Sequence, residues 1–199
     1  MRGTAAFALV GLLAFVALGC SSTRLTSTWR DPALGPMQFR QVAGIALSSD
    51  STVRRLAEDE FVRTVGPANG GIAGYALIPD EELRDRDQVR ARLEGAGVDG
   101  AVVFRLVSVE TQERWVPPTH YQGMWSYWGW AGPMVHDPGY LTTDQIIQVE
   151  FAAYTVRDAR LVWAGRSQTF NPTSVERMIG EIVRLAVEEL RREGLIAGL

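Results

Sequence analysis

The sequence has no lysine, a single cysteine and only two histidines among its 199 residues. One cysteine, Cys20, excludes an internal disulfide and any thiolate-rich zinc site. His120 and His136 stand sixteen positions apart and do not form the close ligand pair of a zinc helix, so no metal site is expected. No GxSxG elbow supplies a serine nucleophile, and no motif calls for a cofactor. The basic residues are all arginine and are dispersed. With Arg2 set aside they number 19 against 23 acids, a net charge of −4, so nucleic acid is not an expected partner. Beyond residue 19 there is no run of eighteen apolar residues such as a membrane-spanning helix requires. These gaps lead to the expectation of a protein without catalytic activity.

The one long apolar run lies at the start. Met1-Arg2 is followed by residues 4–19 (TAAFALVGLLAFVALG), which carry no charge. A basic start, an apolar stretch and small residues before a cut describe a secretory signal peptide over residues 1–19. Sixteen helical residues would reach about 24 Å, short of the roughly 30 Å hydrocarbon core. Ala17-Leu18-Gly19-Cys20 resembles the lipobox of bacterial lipoproteins, although the usual leucine and small residue are exchanged at the third and second positions before the cut. That resemblance implies a diacylglyceryl thioether on Cys20, and lipidation would also remove a lone reactive thiol from an oxidising compartment. Several acyl chains hold a protein on a membrane durably, where one does so only marginally. Ser21, in place of Asp, implies sorting to the outer membrane. The expected organisation is a signal peptide (1–19), a lipidated N-terminus and tether (20–36), and a periplasmic domain (37–199) anchored to the membrane through lipid on Cys20.

Apolar spacing then sets out the domain. Residues 21–35 are polar and turn-rich, with an edge strand over 25–30. A strand is expected over 39–47. The oxygens of Ser48, Ser49, Asp50 and Ser51 offer a cap to a helix whose apolar residues are Val53, Leu56, Ala57, Phe61 and Val65, and which ends at Gly66-Pro67. A strand over 75–79 follows, then a helix that Asp85 and Gln88 open in capping-box fashion. Residues 100–109 (GAVVFRLVSV) are apolar on both faces, as in a central strand. Residues 144–157 alternate, with Ile147, Val149, Phe151 and Ala153 on one face, and pair as a hairpin with 161–169. Thr173 and Glu176 form a capping box for a closing amphipathic helix that stops at Gly194. The predicted fold is therefore α/β (α+β). It comprises a single mixed sheet with helices packed against it, in the order β-α-β-α-β, an aromatic insertion at 115–140, then β-β-α.

The runs FRQVAGIALSSD, LEGAGVDGAVVFRLVSVE and LVWAGRSQTFNPTSVE, with the closing helix, resemble a group of bacterial lipoproteins of unknown function. More loosely, the element order is similar to the TolB amino-terminal domain, the penicillin-binding-protein activator LpoB and the curli secretion lipoprotein CsgG. The resemblance implies an envelope protein that binds other proteins. No functional residue of those families carries over.

Two segments remain. Gly95, Gly97 and Gly100 match the letters of the dinucleotide fingerprint, but they close a helix and precede a strand. That is the reverse of the order that offers helix N–H groups to a pyrophosphate. In residues 115–140 (WVPPTHYQGMWSYWGWAGPMVHDPGY), Trp115, Tyr121, Trp125, Tyr127, Trp128, Trp130 and Tyr140 make seven aromatics in 26 residues. Such rings pack on their own domain, anchor a protein interface, stack on sugars or sit at a headgroup layer. The expected role is capture of an envelope protein or self-association through this surface. The alternative is a cell-wall glycan-binding or glycan-processing protein, since paired carboxylates leave no local signature.

Overall fold

The computed structural model describes residues 23–116 and 139–198. In chain order the elements are β1 (Thr23–Arg30), β2 (Val42–Leu47), α1 (Ser51–Val65), β3 (Gly71–Ala73), α2 (Arg86–Gly95), β4 (Gly100–Val116), β5 (Tyr140–Thr155), β6 (Leu161–Phe170) and α3 (Val175–Arg192). Six strands form one sheet in the order β1-β6-β5-β4-β2-β3. β2 runs parallel to β3 and β4, and the other pairs are antiparallel. This is the expected single mixed sheet with helices packed on it.

The helices start where their caps allow. Asp50 accepts from Thr52 N–H at 2.8 Å and Val53 N–H at 3.2 Å, and Asp85 accepts from Asp87 and Gln88 N–H at 3.0 and 3.1 Å. Each cap satisfies donors that the first helical turn leaves unpaired. α3 buries Ile179, Ile182, Val183, Ala186, Val187 and Leu190, a stripe three and four residues apart that lies against the sheet beside α1. The rings of Phe104, Phe151 and Trp163 cross the middle strands beneath these helices at centroid spacings of 6.2 and 5.5 Å. On the opposite face, Leu93 and Val98 join Ala43, Ile45 and Ala101 in a smaller cluster. The glycine run between α2 and β4 serves as a helix end and turn, with Gly97 at φ +72°.

Three expectations are corrected. The strand expected at 75–79 lies earlier, at Gly71–Ala73, and Gly74–Ala76 is a 3-10 turn. Tyr75 N–H is taken by the Glu58 carboxylate, so it cannot join the ladder. The strand expected from residue 39 begins at Val42, because Asp99 Oδ1 and Oδ2 claim Arg40 N–H, Asp99 Oδ1 claims Gln41 N–H, and Phe39 donates to Leu195 O. The cap of α3 is Ser174 instead of Thr173. Its Oγ accepts Arg177 N–H at 3.2 Å, while Asn171, at φ +45° and bonded to Gln145 N–H, places the turn. The edge strand expected over 25–30 is present as β1, which starts two residues earlier and pairs with β6 from Thr23 to Arg30 with a bulge between Leu25 and Ser27. The sheet therefore begins by Thr23.

Candidate docking surface

β4 and β5 are much longer than their neighbours. β2 ends at Leu47, opposite Arg105, and β6 ends at Phe170, opposite Ile146. Beyond those points, Thr111–Val116 and Tyr140–Gln145 pair only with each other among the described residues, in six consecutive rungs. At about 3.4 Å per residue this two-stranded arm overhangs the sheet by roughly 20 Å. Its residues explain why it is extended: Thr111, Val116, Tyr140, Thr142 and Thr143 are β-branched or aromatic, which favours a pleated conformation.

Strand alternation sorts the arm's side chains. On the face that α1 and α3 cover further in, Leu106 pairs with Val149 and Val109 with Ile147, and beyond two polar rungs, Thr111 with Gln145 and Glu113 with Thr143, Trp115 pairs with Leu141. Leu106 is 56 %, Val109 51 %, Trp115 54 % and Leu141 63 % exposed. Where this face meets the helices there is an apolar cleft of about 360 Å³, lined among others by Leu47, Val53, Leu106, Val109, Ile147 and Met178. The opposite face is polar. Arg105 and Arg166 both donate to Glu150, at 3.0 and 3.2 Å, and the two guanidiniums hold its carboxyl below the usual range. Gln148 donates to Glu110 at 3.4 Å.

Of the aromatics singled out in the sequence, Trp115 and Tyr140 fall among the described residues, at the same end of the arm. They sit on opposite faces, since Trp115 pairs with Leu141 and Tyr140 with Val116. Tyr121, Trp125, Tyr127, Trp128, Trp130, Cys20 and both histidines lie outside the described residues. Missing from the sequence reading were Leu106, Val109 and Leu141. The only signal that could have revealed them was the mismatch between a short β2 and a long β4.

Charged side chains inside the domain are structural. Glu58 is fully buried and accepts from Ala46 N–H, Arg54 Nε and Tyr75 N–H. Arg54, equally buried, also donates to Asp80 and to Ile78 O. Burial pushes the Glu58 carboxyl up, against the pull of these donors. The cluster joins α1 to the end of β2 and to the segment after β3, and every member is partnered. Among the described residues no three His, Cys, Asp or Glu side chains gather as a metal site.

No protein-family model and no curated protein matches the sequence. Solved structures resemble it in chain path. The PelC dodecamer from Paraburkholderia phytofirmans does so at 11 % identity and a TM-score of 0.46, over 84 % of this chain and 96 % of that one. Lipoprotein GNA1162 from Neisseria meningitidis does so at 12 % and 0.37, over 76 % and 98 %. A minor lipoprotein from Acinetobacter baumannii does so at 9 % and 0.29, over 79 % and 98 %. At such identities and scores the likeness carries nothing about activity, partner or assembly.

Proposed function

We propose that this chain is a lipid-anchored protein of the bacterial cell envelope, held at the periplasmic face of the outer membrane through Cys20. In this reading it acts without catalysis, by binding a protein partner or further copies of itself through the overhanging arm and the cleft beside it. The address rests on the leader and the cysteine. β1 starts three residues after Cys20, a span of about 10 Å when extended, so the β1 edge of the sheet would ride close to the lipid surface.

The observation that carries the binding role is the exposure of Leu106 and Val109 beside the cleft, and of Trp115 and Leu141 two polar rungs further out on the arm, which has no further strand beside it among the described residues. An isolated two-stranded ribbon is marginal in water, and exposed large apolar side chains at its two ends are candidates for burial against a partner. Among the described residues, the exposed Trp115 and Tyr140 rings face opposite ways and do not form a common stacking platform.

The test is a membrane-anchored full chain carrying Val109→Asp and Trp115→Ala, compared with wild type by in-cell cross-linking and by sedimentation after detergent extraction. The variant is expected to lose its cross-linked species while melting as wild type does. An unchanged assembly pattern would remove the arm from the interaction. Retention of the chain on purified peptidoglycan, abolished by the same variant, would favour the glycan alternative instead.

A further inference from the structure

The arm has a second feature beyond its exposed apolar side chains. β2 covers the outer edge of β4 only as far as Arg105. From Leu106 to Val116 no described strand pairs with that edge, so alternate N–H and C=O groups along eleven residues point outward from the sheet. Natural proteins cover or blunt such edges because any strand can extend them. The charges on this edge, Glu110, Glu113 and Arg114, would repel many incoming strands, but they do not repel a copy of themselves in one particular register.

We propose that β4 pairs antiparallel with β4 of a second copy, about a two-fold axis at Gln112, to give a continuous sheet across two chains. This rests on the self-association half of the reading above and names its surface. Antiparallel partners share a face only when their two residue numbers have an even sum. Axes through Glu110, Glu113 or Arg114 set a charge against its own kind, and one through Thr111 sets Glu113 against Val109. The axis through Gln112 alone places Glu110 opposite Arg114 twice, once on each side, and Val109 opposite Trp115 twice. Opposite charges and apolar–aromatic pairs are the cross-strand combinations that stabilise a sheet. The remaining rungs, Thr111 with Glu113 and Ser108 with Val116, oppose no like charges.

The side chains are placed to do this. Arg114 is 67 % exposed and, among the described residues, makes one ion pair, to Asp144 at 3.4 Å. A guanidinium has five N–H donors, enough for Asp144 and for Glu110 of the second copy. Among the described residues, Glu110 has only long contacts, from Ser108 Oγ at 3.3 Å and Gln148 Nε2 at 3.4 Å. Val109 and Trp115 lie on the same face of β4 and are half-exposed, so each would cover the other across the axis. An interface of this kind is isologous and closes as a dimer.

The register makes a sharp prediction for cysteine cross-linking. Residues directly opposite across an antiparallel pair have Cα atoms about 4.5–5.5 Å apart, within disulfide reach. In the membrane-anchored full chain, Gln112→Cys is expected to form an oxidant-induced dimer. Thr111→Cys and Glu113→Cys, each facing the other position, should dimerise poorly alone and cross-link when co-expressed. Wild type, with Cys20 only, sets the baseline. Glu110→Arg or Arg114→Glu in the Gln112→Cys chain should cut the dimer roughly tenfold, and the two together should restore it. All variants are to be checked for an unchanged thermal melt. Equal cross-linking at 111, 112 and 113, or indifference to the charge reversals, would overturn the proposed pairing while leaving self-association through another surface standing. A monomer at every concentration, with no cross-link at Gln112→Cys, would overturn the pairing. Failure of the broader binding role would appear separately, as an assembly pattern untouched by Val109→Asp with Trp115→Ala.

Discussion

Glu58 shows how much one side chain can hold in place in this molecule. Its two oxygens bind the backbone of β2, the side chain of Arg54 in α1 and the backbone of Tyr75. Glu58→Ala would leave the buried Arg54 guanidinium with Asp80 as its only acid, at an expected cost of about 3–5 kcal/mol, measurable as a fall in the urea midpoint. Gly44 is a second sensitive position, because a Cβ there would run into the Phe61 ring. Gly44→Ala is expected to cost about 1–3 kcal/mol by overpacking. At the surface, the Ala33 N–H and the Arg160 guanidinium hold the Asp31 carboxyl below its usual value. A carboxyl depressed in the folded state adds stability that is present above its unfolded pKa and is lost as pH falls through the folded one. Asp31→Asn should therefore melt earlier than wild type near neutral pH, and the gap should close in acid. Thermal melts at a series of pH values would show whether it does.

Among the elements, α3 and the β4–β5 arm behave in opposite ways. α3 is committed to the interior, with seven buried residues, a side-chain cap at Ser174 and a bond from Arg191 Nη2 to Thr64 O at the end of α1. Ser174→Ala should cost about 1 kcal/mol, seen in the same unfolding experiment. The arm is bound to the domain only through its inner half, so changes at its outer residues should leave the midpoint within about 0.5 kcal/mol of wild type. That insensitivity makes Trp115 informative, and Val109, half-exposed one rung inside the arm, is read beside it with its own melt as control. Their loss should be read in assembly and hardly at all in stability.

For the whole molecule, the proposed address makes its own prediction. Cys20→Ser should move the chain from the membrane pellet to the soluble periplasmic extract. In wild type, the mass of the N-terminal peptide should carry diacylglycerol on Cys20. A bare thiol there would remove the anchor. With β1 starting at Thr23, little chain separates the sheet from that anchor. Two chains joined through β4 would then present one sheet, tethered at two points, with Val109 and Trp115 covered along the seam.

The order of strands and helices was legible because it depends on local chemistry. Asp50 and Asp85 announce helix starts, Gly66-Pro67 announces an end, and the spacing of α3's apolar residues shows which side faces inward. Three features were decided only when distant segments met. Asp99 and Glu58 took backbone donors that would otherwise have lengthened β2 and β3, so those strands came out shorter or earlier than their sequences suggest. The local pattern at Thr173 and Glu176 pointed to a cap one residue from the true one, because Asn171 is fixed by β5. And residues 106–109, read from their apolar character as the end of a central strand, lie on an exposed edge. A strand's own side chains do not record where its neighbour stops, so the length of β2 against β4 left the candidate surface uncovered.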